Sequence, residues 1–474
     1  MTLPEGFVVT LDRDTRVLDG GRALLGGSPV RLLRLTERAH PLLTGRTVEV
    51  RDPAGAVLAD RLLESGLAHP VVDVLPSPDD PRYTFVVPVR DRPRPLDRLL
   101  TSIGRDHPVI VVDDASRRRG PVEAVAARHG ARFVPLDVNL GPAGARNAGL
   151  RLVTTPYVVF VDSDVVLPPG AIPTLLRHFT DPRVAMAVPR ITGLPHPAST
   201  GWIARYEDAR SSLDLGPRPA QVRPGTSVSW ASTACTVART DALPGGFDER
   251  MRVGEDVDLG WRVVKNGRRI RYEPSVHAAH EHRVRFDDWF VRKAVYGTGA
   301  HPLAERHPEF IAPAVLAPWG AAFVLALLAQ RRWSVPVAGA VCAVTAARIT
   351  RKLRGTEHPA RLASSLTAMG AIGALSQTSA LLTRHWWPVT AVGCAVSRRV
   401  RRAAALAAVT DVALEYWRAR PDIDPVRYGV ARRLDDLAYG SGVWWSAVRG
   451  RSTVSLRPRV THARTEPGSA GVRT

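Results

Sequence analysis

Tyr157-Val158-Val159-Phe160-Val161-Asp162-Ser163-Asp164 decides how this chain is read. An uncharged run of β-branched and aromatic residues leads into two carboxylates one residue apart, and Val165-Val166-Leu167-Pro168-Pro169-Gly170 follows. Such a run predicts a strand buried on both faces. The end of that strand is where an open α/β sheet places its ligands. Strand side chains alternate between faces, so Asp162 and Asp164 are expected to face one ligand. Two hard oxygen donors suit Mg²⁺ or Mn²⁺ holding phosphates. The competing reading is a surface turn, where Asp is common. D-x-D alone does not choose between them.

The flanking sequence repeats the pattern. Tyr83 to Val89 and Pro108 to Asp114 read as strands, and residues 131–134 as a short third one. Residues 96–103 and 121–129 between them read as helices, and Asn139-Leu140-Gly141-Pro142-Ala143-Gly144-Ala145-Arg146-Asn147 as a loop opening the next helix. This βαβ order predicts an α/β fold with a mixed, mostly parallel sheet. Three of its strands end in polar residues, at Arg90-Asp91, Asp113-Asp114 and Asp162-Ser163-Asp164. Turn chemistry does not readily account for three such endings in one sheet.

Composition bounds the rest. The 474 residues suit about two to four domains, and 45% hydrophobic content is enough for large cores. The formal net charge is +20, carried almost wholly by Arg, with Lys265, Lys293 and Lys352 the lysines. Arg398, Arg399, Arg401 and Arg402 lie beside apolar segments, which favours a membrane surface over nucleic acid as the anionic partner. Compositional bias alone is the competing account of the charge. Cys235, Cys342 and Cys394 show neither disulfide nor zinc spacing. A reducing compartment fits, and no signal peptide is expected at the N-terminus.

Four regions are expected: 1–80, 81–310, 311–400 and 401–474. In the first, strands at residues 7–9 and 16–18, a helix across 29–43 and another across 56–65 suggest a winged-helix-like module that holds a peptide, holds a partner protein, or simply packs. In the third, residues 311–330 carry no charge, long enough to cross a bilayer. Residues 334–347 and 362–383 are further apolar candidates, and Trp386-Trp387 suits an interface. About two or more embedded segments are expected, with Ala-rich helices outside a membrane as the competing reading. The basic tail from Ser452 is expected to be disordered.

Residues 245–249 (G-G-F-D-E), 254–262 (G-E-D-V-D-L-G-W-R), 272–275 (Y-E-P-S) and 280–283 (H-E-H-R) complete the set. With V-V-P-V-R-D, V-V-V-D-D-A-S, N-L-G-P-A-G-A-R-N and V-D-S-D, the order over residues 82–300 resembles the inverting family 2 glycosyltransferases of GT-A fold. The N-terminal module, the stretch at 214–225, H-E-H-R and the apolar C-terminal part are most similar to the mycofactocin branch of that family. The resemblance implies UDP-glucose as donor, a small peptide-derived redox-cofactor precursor as acceptor, and a β-1,4-linked glucose chain as product. It also leaves open a partner enzyme held by residues 1–80, and places the active site on the cytoplasmic face of the cell membrane, or in the cytoplasm if the apolar helices are soluble.

The roles it implies fall on named residues. Pro88 and Asp91 belong to the first nucleotide loop, and Asp114, beside Asp113, accepts from the uracil ring. Gly144 admits the backbone close to the nucleotide. Arg146 is charge-suited to phosphate, and Asn147 either joins them or caps a helix. Asp162 faces the ribose, Asp164 and His280 hold a divalent metal on the diphosphate, and Asp256 is the general base. Glu255 and Asp258 rival Asp256, His282 rivals His280, and His277 is a packing residue. Trp202 and Trp230 either stack on the acceptor or belong to the core. No Q-x-x-R-W follows G-E-D, which disfavours a processive secretion synthase. A lipid or cell-wall acceptor, and a basic membrane-anchored binding module with a decayed fold, are the other readings. The intact acidic residues argue against decay.

Overall fold

The computed structural model describes residues 1–195 and 201–461. It divides into two compact units, Met1–Val284 and Arg285–Thr474.

The first unit is built on a nine-stranded mixed sheet. Its strands are β1 (Tyr83–Val89), β2 (Val109–Asp113), β3 (Arg132–Pro135), β4 (Tyr157–Val161), β5 (Val165–Val166), β6 (Val184–Gly193), β7 (Ala220–Gln221), β8 (Cys235–Arg239) and β9 (Arg269–His280). The order is β5-β9-β6-β8-β4-β1-β2-β3, with β7 on β9. Strands β3, β2, β1, β4, β6 and β9 run one way, while β8, β5 and β7 oppose them. The expected mixed sheet is therefore present. All five residues of β4 are buried, as its uncharged sequence requires.

Helices α1 (Pro93–Ile103), α2 (Arg119–Arg128) and α3 (Gly141–Leu150) cross over between the parallel strands, and α4 (Ala171–Leu176), α5 (Trp202–Arg210) and α6 (Glu255–Lys265) follow. Two apolar layers cover the sheet. One gathers Phe85, Val87, Leu99, Val111, Val159 and Leu175, the other Val86, Val158, Phe160, Phe247, Leu259 and Tyr272. Because β4, β1 and β2 are neighbours and parallel, the polar endings at 162–164, 90–91 and 113–114 lie side by side.

The N-terminal segment has two three-stranded antiparallel sheets and one α-helix, Pro53–Glu64, N-capped by Asp52. The helix expected across 29–43 is absent. Arg31–Arg34 is instead a strand against Ala23–Gly26, with Leu33 opposite Leu24. Gly27, at φ +81°, makes the turn between them. Pro41 then falls in a short 3-10 turn, His40–Leu42. A lone α-helix does not bear out a winged-helix arrangement.

This segment is fixed to β9 by buried charge. Arg269, 1% exposed, donates to Asp181 at 2.8 Å and to Asp60 of the N-terminal helix at 2.7 Å. Burial alone would raise Glu273, but hydrogen bonds from His178 and Ser275 hold it near 2.

The second unit is helical, with Pro318–Leu328, Ser334–Lys352, Pro359–Ala380, Trp387–Val396, Arg398–Ala419 and Pro425–Arg449 as main elements. No helix among the described residues is long and apolar enough to cross a membrane. The expected span at 311–330 starts its helix only at Pro318 and ends it at Leu328. Its 11 residues reach about 16 Å at 1.5 Å each, against a hydrocarbon core of about 30 Å. The expected disordered tail is partly ordered, since Arg459–Val460 pairs with Val315–Leu316. Residues 462–474 of that tail lie outside the described residues.

Candidate active site

Strand β4 stops at Val161, so Asp162 and Asp164 sit in the turn to β5, not on the strand. Strand alternation therefore does not apply to them, and their side chains have different partners. Asp162 accepts from Arg146 Nη2 at 2.7 Å. Asp164 takes a short hydrogen bond from Arg92, and its Oδ1 lies 3.5 Å from His280 Nε2. Pairing of β5 with β9 brings His280 there, with Val165 opposite His280.

Arg146, on the buried α3, is 4% exposed. Its other arm donates to Glu255 Oε1 at 2.8 Å, and its guanidinium carbon lies 5.5 Å from the centre of the Phe247 ring. Burial would strip its proton, but Asp162 and Glu255 outweigh that and raise its proton affinity. Arg146, expected beside phosphate, here bridges the loop after β4 to the start of α6.

Helix α6 carries the three candidate bases. Glu255 is buried against Arg146. Asp258 is fully buried and accepts from Arg262 Nε at 2.8 Å, one turn along. Arg262 in turn ties down the preceding loop through Gly246 O at 2.6 Å. Asp256 remains partly exposed, with one oxygen taking its neighbour's Val257 N–H at 2.8 Å. Burial and the adjacent Glu255 push Asp256 up to about 7, against the pull of Arg146. Of the three, Asp256 alone is partly exposed and outside an ion pair, and its raised proton affinity suits a base at neutral pH.

The other expected ligands also make contacts within the framework. Asp114 accepts from Asn139 Nδ2 at 2.8 Å, Leu140 N at 2.7 Å and Gly141 N at 3.0 Å, so it organises the start of α3. Little capacity is left for a uracil ring. Asp113 is fully buried and bonds Ser116 Oγ. Asp91, at φ +54°, accepts from Arg117 N at 2.8 Å and joins the loops after β1 and β2. Pro88 is half-buried within β1, opposite Val112. A Cβ on Gly144 would come 2.4 Å from Leu140 Cβ, so its close approach is to Leu140. Asn147 caps no helix. Its amide spans Phe247 O at 2.8 Å and Glu249 Oε1 at 3.0 Å, and its oxygen takes Phe247 N–H at 2.9 Å.

His282 faces Asp208 at 3.6 Å, and His277 is exposed, contrary to the packing role expected of it. Trp202 and Trp230 are both half-buried, so neither is core. Sequence reasoning missed Arg92, which follows the end of β1. Its position after a strand in the same row as Asp114 and Asp162 was the available signal.

For a divalent metal the protein offers Asp164 and His280, and no group of three His, Cys, Asp or Glu ligands occurs among the described residues. One carboxylate and one imidazole fit an ion that takes its remaining ligands from a diphosphate and water. A built-in structural metal does not fit.

The family model described as "Glycosyl transferase family 2" matches residues 84–226, and "Glycosyl transferase family group 2" matches 157–389. The pre-mycofactocin glycosyltransferase of Mycobacterium tuberculosis is 43% identical over 97% of this chain and 98% of its own. The chain belongs to glycosyl transferase family 2. It is a glycosyltransferase. Validoxylamine A glucosyltransferase of Streptomyces hygroscopicus subsp. limoneus is 27% identical over 42% of this chain and 52% of its own. A solved mannosyltransferase from Pyrobaculum calidifontis, in complex with GDP-Man and Mn²⁺, covers 77% of this chain and 90% of its own at 19% identity and a TM-score of 0.37, too low to bear on the assignment.

Proposed function

We propose that this family 2 transferase moves glucose from UDP-glucose to a mycofactocin precursor with inversion, extending a β-1,4-linked glucose chain. Similarity to the M. tuberculosis enzyme along nearly its whole length supports the acceptor class. Asp256 carries the mechanism. It takes the proton of the acceptor hydroxyl as that oxygen attacks the anomeric carbon. The bond from that carbon to the diphosphate oxygen breaks, and UDP departs with the electron pair. Attack opposite the leaving group turns an α-linked donor into a β-glycoside.

Glu255 and Asp258 are held in ion pairs and leave the base role to their neighbour. Asp164 and His280 would hold a divalent ion, which would supply Lewis-acid charge to the diphosphate. Arg92 stands on the same carboxylate and supplies positive charge to the diphosphate side. The test is transfer by Asp256→Asn with UDP-glucose and the precursor, followed by mass spectrometry. Loss of the hexose ladder, by about a hundred- to ten-thousand-fold in rate, with donor binding retained, is expected. Undiminished turnover would overturn the assignment of the base.

A lipid or cell-wall acceptor is the second reading. A 29% identical relative over 44% of this chain, from M. tuberculosis, is the N-acetylglucosaminyl-diphospho-decaprenol L-rhamnosyltransferase. The same mass spectrometry on lipid extracts separates the two.

A further inference from the structure

In the helical unit, two chain segments meet at one corner. Helix Pro318–Leu328 ends, Arg331-Arg332-Trp333 follows, and Ser334–Lys352 begins. Helix Trp387–Val396 ends, Ser397 caps the next helix, and Arg398, Arg399, Arg401 and Arg402 fill its first turns. Gln330 Nε2 donates to Arg399 O at 2.7 Å and holds the segments together.

The corner exposes apolar groups that a folded chain ordinarily hides. Trp333 is 48% exposed, Val335 73%, Val392 68% and Val396 82%. Beside them stand Arg331, Arg332, Arg398, Arg399 and Arg402, all exposed and none with a carboxylate within ion-pair reach among the described residues. An apolar patch rimmed by positive charge marks a binding surface.

We propose that this corner, residues 331–335 and 392–402, seats the protein on an anionic lipid surface. Trp and Val enter the headgroup boundary while the arginines meet phosphates, a mode that lies on the membrane without spanning it. A second copy fits worse, because a two-fold contact of this corner would set arginines against arginines. An acidic protein would satisfy the charge, but a headgroup surface satisfies charge and apolar groups together.

The test is co-sedimentation of the full chain with phosphatidylcholine vesicles, with and without roughly a third phosphatidylglycerol. Binding is expected to the anionic vesicles only, and to weaken with salt. Arg398→Glu with Arg399→Glu, and separately Trp333→Ser with Val396→Ser, are each expected to weaken partitioning by about tenfold or more. Transfer to a water-soluble acceptor, unchanged in both variants, shows that they fold. Absence of wild-type binding to anionic vesicles would overturn the proposal, as would variants that bind like wild type. A lipid-free dimer seen by light scattering and abolished by the same variants would reassign the corner to self-association.

Discussion

Arg146 donates to Glu255 at 2.8 Å from a position only 4% exposed, with Asp162 on its other arm at 2.7 Å. One buried cation therefore joins the loop after β4 to the start of the helix that carries Asp256. Removing one partner of a buried pair leaves an uncompensated charge and costs about 3–5 kcal/mol. Arg146→Met is thus expected to lower stability by roughly that amount in a urea titration, and Arg146→Met with Glu255→Gln to recover part of it. Full additivity of the two single changes would refute the pairing.

The proposed role of Asp256 as base predicts that activity depends on pH. Its carboxyl sits near 7 because burial and Glu255 disfavour the charge, and the base must be ionised to work. The rate should rise about tenfold per pH unit below about 7 and level off above it. Stability runs the other way. The folded value lies above the ordinary 3.8, so the unfolded chain loses this proton first and folding is penalised as pH climbs from about 4 to about 7. Asp256→Asn removes that penalty. Its Tm should exceed the wild-type value at pH 8 and converge with it near pH 4, and an equal gap at both would discredit the raised value.

The sheet was legible because β1, β2 and β4 are uncharged β-branched runs, and burial on both faces demands that composition. Their polar ends mark the candidate site, because an open α/β sheet takes ligands at the carboxyl ends of its strands. The roles were less legible. Asp162 and Asp164 look alike in sequence, yet a turn separates their partners by more than the strand period suggested. Arg146 invites a phosphate, and its pairing with Glu255, 109 positions away, could not be read beside it. Long-range pairs of this kind have no local signature. The apolar stretch at 311–330 misled as a span because hydropathy ignores that its helix starts only at Pro318.

Gly246 offers a test of the clamp that Asn147 places on the G-G-F-D-E loop. Its φ is +65°, and a Cβ there would stand 2.5 Å from Asn147 Oδ1. Gly245, at φ +69°, has nothing within 4 Å of the same position. Gly245→Ala should cost only the left-handed strain, about 1–2 kcal/mol. Gly246→Ala should cost at least about 1 kcal/mol more, since it also displaces a hydrogen-bonded amide. Equal losses of Tm would show that Asn147 does not hold this loop.

Asp164, in the turn before β5, lies 3.5 Å from His280 at the end of β9, and two donors are too few for a tightly resident ion. The metal should therefore arrive with the nucleotide. Titration of Mn²⁺ by calorimetry is expected to show weak binding to the protein alone and much tighter binding once UDP is present. EDTA should stop transfer, and with only two protein donors on the ion it should leave Tm unchanged. Asp164→Asn should weaken Mn²⁺–UDP binding more than His280→Gln, since the carboxylate supplies both charge and a hard oxygen. Tight Mn²⁺ binding in the absence of nucleotide, or full activity in EDTA, would remove Asp164 and His280 from the metal role.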